Sequence, residues 1–222
     1  MIEQAMILAA GRGERMMPLT RDVPKPLLKV GDSTLIQRHL QRLSAAGIKR
    51  VVINVHYLAE KIKQTLGDLQ FGMQIIYSEE EQLLETAGGI QAALPLLGNE
   101  PFLIVNGDIY TDYPFERLLG IRNQEQLPHL VMIPNPEHHP DGDFGLDEKG
   151  VLKADLSERL TYSGLGIYSA VFFKDLPPGR EKLRPLFDKA VASGQLFGEL
   201  YTGVWSDIGT PDRYQAVIAQ FP

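Results

Sequence analysis

Two glycines, two basic residues and two aspartates in this chain stand where they could handle phosphate. Gly11 and Gly13 follow the apolar run Ala5-Met6-Ile7-Leu8-Ala9-Ala10, with Arg15 and Lys25 close behind. A glycine turn lets the backbone approach a ligand closely. Its successive N–H groups, with Ala10 at the entrance and Glu14 at the exit, form an anion-binding nest. Arg15 and Lys25 add fixed positive charge, so the segment reads as a phosphate cradle. The same glycines also fit an ordinary turn, and loop cations are often simply solvated. Two known phosphate loops do not fit. The Gly-Lys-Ser/Thr ending of a P-loop is missing, and Met16 stands where a dinucleotide fingerprint has its third glycine.

The aspartates lie far apart in sequence. Asp108 closes Asn106-Gly107-Asp108 after an apolar strand, and Asp207 lies in Trp205-Ser206-Asp207-Ile208-Gly209-Thr210 before the last helix. Two aspartates converging on a phosphate loop could hold one Mg²⁺ through oxygen ligands. Alone, Asp207 reads better as a cap of that final helix; together with Asp108 and the loop, the metal reading is favoured. The histidines (His39, His56, His129, His138 and His139) have no zinc-site spacing. There is no Gly-x-Ser-x-Gly elbow, which argues against acyl transfer.

Alternating elements must position these groups. Strands are predicted at Ala5–Ala10, Arg50–Val55, Met73–Tyr77 and Pro101–Val105. Helices are predicted between them at Thr34–Ala46, Leu58–Leu66 and Thr86–Leu94, the last ended by Pro95. This order predicts an α/β fold with a doubly wound, mostly parallel, Rossmann-like sheet. The glycine loop and Asp108 then share the carboxyl edge, where ligands gather in such folds. Past Ile133 the pattern breaks into a polar loop, short strands near 144–146, 151–154 and 161–169, a helix at 181–193, strands within 197–205 and a helix at 212–220. One domain over 1–222 is expected, with a nucleotide-binding half to about 133 and a small substrate-facing lobe from about 134 to 222.

Composition narrows the function. With 222 residues, 44% hydrophobic and 23% charged, the chain reads as an ordinary soluble domain. A net charge of −6 disfavours a broad nucleic-acid surface. The absence of cysteine excludes disulfides and thiolate metal sites. No apolar run approaches the roughly 18 residues of a membrane span, and no leader pattern opens the sequence. A cytoplasmic protein without membrane or nucleic-acid partners is expected.

Taken together, the motifs resemble the sugar-phosphate nucleotidylyltransferases. The resemblance rests on Leu8-Ala9-Ala10-Gly11-Arg12-Gly13-Glu14-Arg15, Pro24-Lys25-Pro26, Glu85-Thr86-Ala87-Gly88-Gly89, Asn106-Gly107-Asp108 and Trp205-Ser206-Asp207-Ile208-Gly209-Thr210, in order along nearly the whole chain. Leu84–Ile90, Asn106–Tyr113, Asn135–His139 with Gly142–Phe144, and Leu160–Gly164 resemble the branch that makes UDP-N-acetylmuramate in peptidoglycan recycling. The resemblance implies a nucleotide-diphospho-sugar transferase fold and UTP and a sugar-1-phosphate as substrates. It also implies Mg²⁺ held by Asp108 and Asp207, and a monomer or small homo-oligomer. Arg15, Lys25 and Asp108 become the catalytic set. Ala10, Gly11, Gly13, Glu14, Glu80, Thr86, Gly88 and Asn106 join Arg15 and Lys25 around the nucleotide. Mannose-1-phosphate with GTP, glucose-1-phosphate with UTP or dTTP, and a non-catalytic nucleotide-sugar-binding subunit are the rival readings.

The sequence departs from the family pattern at three places. Glu80 stands where relatives carry a uracil-contacting glutamine, so it can accept the base N3–H but cannot donate; a backbone N–H near Thr86 would have to. Glu85 replaces a usual glycine. The lysine that contacts the sugar phosphate in relatives is missing from Ala154-Asp155-Leu156-Ser157-Glu158-Arg159, leaving Arg159, or Lys25 with Mg²⁺, for that task. By resemblance, Asp143, Gly145, Glu158 and Ser163 face the sugar. His138, His139 and Arg159 are candidates for the lactyl carboxylate of a muramate.

Overall fold

The computed structural model describes residues 2–121 and 128–221. Its strands are β1 (Gln4–Leu8), β2 (Lys29–Val30), β3 (Ser33–Thr34), β4 (Arg50–Val55), β5 (Leu69–Gln70), β6 (Met73–Glu79) and β7 (Phe102–Asn106). The later ones are β8 (Ile109–Thr111), β9 (His129–Ile133), β10 (Gly145–Leu146), β11 (Leu152–Lys153), β12 (Thr161–Tyr168), β13 (Phe197–Leu200) and β14 (Trp205–Asp207). The helices are α1 (Leu35–Ala45), α2 (Ala59–Leu66), α3 (Glu85–Leu97), α4 (Glu116–Leu119), α5 (Arg184–Ala192) and α6 (Pro211–Ile218).

Eight strands form one sheet in the order β13-β9-β12-β7-β1-β4-β6-β5. The four predicted strands β7, β1, β4 and β6 are mutually parallel. β12 runs antiparallel between β7 and β9, and β13 then pairs parallel to β9, so the second half of the chain extends the same sheet. Alternation along the strands explains the layers. Ala5, Ile7, Val51, Ile53, Leu103 and Val105 pack against α1 and α2. Met6, Val52, Phe102 and Ile104, from the other face, pack against α3 and α5. A strand buried on both faces needs apolar residues at every position, which is why Arg50–Val55 shows no polar alternation.

Helix α1 begins at a capping box: the Gln37 N–H donates to the Thr34 hydroxyl and the Thr34 N–H donates back to Gln37 Oε1. Helix α3 corrects the sequence expectation. Pro95 lies inside it, and the helix continues to Leu97 before Gly98 ends it. Proline removes one N–H, but Leu97, 1% exposed, docks in the core beside Ala93 and Phe102, and this packing overrides the local breaker. Helix α5 starts at Arg184, not at the predicted Glu181, because the Glu181 backbone is engaged elsewhere. No helix among the described residues is long and apolar enough to cross a membrane.

Candidate active site

A cleft of about 540 Å³ opens at the carboxyl ends of β1, β4, β6 and β7. This volume lies within the usual range of small-molecule sites. The glycine loop forms one end. Gly13 takes a left-handed φ of 62°, and an added Cβ would come within 3.0 Å of the Thr20 methyl. The buried Thr20 hydroxyl donates to the Gly13 carbonyl at 2.8 Å and closes the turn. Gly11 differs: its φ is unexceptional, and a Cβ there would meet nothing within 4 Å. The fold does not demand glycine at 11, whereas a ligand lying against the main chain would. Met16 is fully buried with Leu28, Val30, Leu35, Ile208 and Val217, so it anchors the loop.

Lys25 is set by its neighbours. Pro24 and Pro26 restrict the backbone on either side of it, in a short 3-10 turn. Its side chain is 10% exposed, and Nζ donates to Asp108 Oδ2 at 2.6 Å. Arg15 is exposed and lines the cleft, as do Ala10, Glu14 and Asn106.

Asp108 is placed by close backbone contacts. The Gly107 N–H donates to the Leu8 carbonyl at 2.9 Å, an approach that a Cβ, 2.6 Å from that oxygen, would block. One residue on, His39 Nε2 donates to the Ile109 carbonyl at 2.8 Å. Burial lowers the His39 pKa to about 4, so the ring is neutral near pH 7 and Nε2 carries the proton.

Asp207 lies beside Asp108. β14 pairs antiparallel with β8, with Asp207 opposite Ile109, and the Ile208 N–H donates to the Asp108 carbonyl at 2.8 Å. The helix cap is not Asp207 but Thr210, whose hydroxyl accepts from the Arg213 N–H, with Pro211 in the first turn. Asp207 Oδ2 sits 3.0 Å from Arg213 Nη2. His138 Nε2 lies 3.0 Å from Oδ1, yet at an angle that makes no hydrogen bond, so Oδ1 is buried without a hydrogen-bond partner. Asp207 does not line the cleft in this arrangement, although Gly209 does. Among the described residues, no three His, Cys, Asp or Glu side chains gather as a metal site.

Opposite the glycine loop, Asn54 ties three strand ends together. Its Oδ1 accepts from the Ala9 N–H at 2.8 Å, and its Nδ2 donates to Glu80 Oε1 at 2.7 Å. Glu80 Oε2 accepts from the Leu84 N–H at 3.0 Å. Glu80 thus lines the cleft while bracing it. Glu85 keeps the left-handed backbone, φ 60°, that a glycine adopts freely, and its Oε1 pairs with Arg180 at 2.7 Å. Thr86 lines the cleft. Gly88 does not: its N–H and that of Ala87 donate to the Glu181 carbonyl, and its missing Cβ leaves room for the Gly179 carbonyl 2.0 Å from that position.

The residues expected to face the sugar lie outside this cleft's lining. Ser163, 1% exposed, donates to the Val131 carbonyl at 2.7 Å and accepts from the Leu165 N–H, bracing the bulge in β12. Asp143 Oδ2 accepts from the Tyr162 N–H at 2.8 Å, while Oδ1 faces His139 at 3.4 Å and Arg184 at 3.3 Å. Gly145 admits Leu156, whose Cβ would be 2.4 Å from an added Cβ. Glu158 is exposed, and Arg159 donates to the Ala154 carbonyl.

Sequence reasoning missed Asn54 and Arg180. Asn54 had a signal, being the polar residue inside an otherwise apolar buried strand. Arg180 had none, because only the fold brings its loop to α3.

Comparison with known proteins agrees with this geometry. The model of the nucleotidyl transferase family matches residues 4–159. N-acetylmuramate alpha-1-phosphate uridylyltransferase of Neisseria meningitidis serogroup B is 45% identical, over 95% of this chain and 94% of that protein. The protein of the same name from Caulobacter vibrioides is 34% identical, over 97% and 96%. In fold, a crystal structure from Bacillus anthracis described as a glucose-1-phosphate thymidylyltransferase superposes with a TM-score of 0.88 at 20% identity, covering 99% of this chain and 95% of that one. The glycine loop lining the cleft, the two aspartates on one ribbon and these likenesses converge: the chain belongs to the nucleotidyl transferase family.

Proposed function

We propose that this chain transfers UMP from UTP to N-acetylmuramate α-1-phosphate, giving UDP-N-acetylmuramate and pyrophosphate. The observation that carries the chemistry is the buried Lys25 ammonium held 2.6 Å from Asp108 beside an open glycine loop. The choice of base and acceptor is supported by the two relatives of that name.

In the reaction a sugar-phosphate oxygen attacks the α-phosphorus of UTP, and the bond to the β-phosphate oxygen breaks. The attacking phosphate is already an anion, so positioning and charge neutralisation matter more than a protein base. Arg15 and the loop amides at Gly11 and Gly13 hold the β- and γ-phosphates that leave. Lys25 neutralises charge at the reacting phosphate, and Asp108 orients Lys25. The sugar lies towards Asp143, Gly145 and Glu158, on a frame that Ser163 braces from within.

The residues present fit a divalent cation. Asp108 and Asp207 are hard oxygen donors joined through one ribbon, and Asp207 Oδ1 is buried without a hydrogen-bond partner. When bound by these two aspartates, Mg²⁺ would neutralise charge on the α-phosphate. A small homo-oligomer or a monomer is proposed, acting on nucleotide and sugar phosphate alone.

A panel of sugar-1-phosphates against the nucleoside triphosphates, read by pyrophosphate release, tests the reading. N-acetylmuramate α-1-phosphate with UTP should turn over best. Best turnover of mannose-1-phosphate with GTP would sink it.

A further inference from the structure

We infer that Arg180 reads the nucleotide base by donating to an exocyclic carbonyl oxygen that Glu80 cannot serve. The inference deepens the nucleotidyl-transfer reading of the cleft and rests on it. The cleft has two unlike ends. Gly11, Gly13, Arg15, Lys25 and Asp108 form the end suited to phosphates; Asn54, Glu80, Leu83, Glu85, Thr86 and Arg180 form the other. A nucleotide anchored by its phosphates places its base among the second set.

The pairing edge of uracil carries a carbonyl, an N–H and a second carbonyl, so it needs donors on both sides of an acceptor. Glu80 supplies only the acceptor. Several donors around it are already engaged, which leaves the backbone N–H groups of Glu85 and Thr86 for one carbonyl and Arg180 for the other. The Leu84 N–H and the Asn54 amide serve Glu80 itself, and the Ala87 and Gly88 N–H groups serve the Glu181 carbonyl. The Thr86 hydroxyl can donate or accept, so it cannot tell a carbonyl from an amino group. Arg180 only donates, from a planar group with several N–H bonds.

The fold holds Arg180 in place for this. The Glu181 N–H donates to the Leu84 carbonyl at 2.9 Å, and the Glu181 carbonyl accepts from Ala87 and Gly88 at 3.0 and 3.1 Å. These bonds latch a loop of the second half onto the start of α3. From that latch the Arg180 side chain, 69% exposed, reaches the cleft and rests on Glu85 Oε1 through Nη2 and Nε at 2.7 and 3.2 Å. Glu85 makes this pair from a left-handed backbone that favours glycine. The Glu85 oxygen accepts from Arg180 beside the base position, a bond that an amide oxygen can also accept, without engaging all its donors.

The test is equilibrium binding of UTP and CTP, as their magnesium complexes, to the full chain and its variants. UTP carries a carbonyl where CTP carries an amino group. Wild type should prefer UTP, and Arg180→Ala should lose at least tenfold of that preference through weaker UTP binding, with its melting temperature near wild type. Arg180→Lys should keep part of it. Glu85→Gln, which leaves Arg180 and the latch in place, should keep the preference. Equal weakening of UTP and CTP in Arg180→Ala, or no change in either, would overturn the assignment, as would loss of the preference in Glu85→Gln. A wild-type preference for GTP over UTP would overturn the uridylyl reading instead. Arg180 would then be judged by the GTP-over-ATP ratio, since guanine carries a carbonyl where adenine carries an amino group.

Discussion

At the carboxyl edge of β1 and β7, functional groups are left available. Arg15 is exposed into the cleft, Gly11 faces open space, and Lys25 points at Asp108 across it. Beyond Ile133, the polar side chains expected at the sugar are spent on the protein itself. Ser163 and Asp143 carry main-chain hydrogen bonds of β12, and His138 and His139 lie against Asp207 and Asp143. Groups that meet a triphosphate must keep unfilled bonding capacity. Groups that shape an irregular, buried stretch of chain must satisfy its backbone, because an unpaired buried polar atom costs about 1–3 kcal/mol. The proposed phosphate end is therefore built in advance, while the second half supplies a braced frame.

The sharpest way to break this contrast is Asp108→Asn. Turnover should fall about a hundred- to a thousandfold, the scale of removing a preorganised charge-stabilising group, with the melting temperature held near wild type. Near-normal pyrophosphate release would remove Asp108 from the chemistry and leave the phosphate end no more functional than the frame.

The next effect is on stability. His39 braces the Ile109 carbonyl beside Asp108 and is neutral in the folded chain. The unfolded histidine takes up a proton near pH 6.5, and the folded one only near pH 4. Between these values the unfolded state binds more protons, so the stabilisation is complete above about pH 6.5 and is lost as pH falls towards 4. Urea unfolding should show a loss approaching about 3 kcal/mol across that window. In His39→Gln the dependence should be flatter; an unchanged slope would show that the ring titrates normally.

The smallest effects form a matched pair. Gly11→Ala should raise the KM for nucleotide several-fold with no change in melting temperature, since nothing in the fold meets its methyl. Ser163→Ala should do the reverse, lowering stability by about 1 kcal/mol and leaving the KM for sugar phosphate in place. A raised sugar KM at normal stability would move Ser163 from the frame into the binding surface.

Legibility in the sequence followed how local each cause was. Arg50–Val55 matches β4 because its apolar run encodes burial on both faces. The glycine loop was legible for a similar reason, since its type and spacing carry the turn. Pro95 misled because the Leu97 packing that overrides it comes from the folded core. Gly88 was read as a nucleotide contact, and the structure shows another reason for a glycine there: the carbonyl of Gly179, remote in sequence.

By itself the sequence determined the strand-helix alternation, the glycine turn at 11–13, the cations at 15 and 25 and the aspartates that close their segments, because each is written in residues next to one another. Only the tertiary structure decided that Asp207 pairs beside Asp108 while Thr210 caps the helix, that Lys25 meets Asp108, and that the 179–181 loop latches onto α3 with Arg180 over the cleft. Those are contacts between segments distant in the chain. Strand pairing and close backbone approach set them, and neither leaves a periodic mark in the sequence.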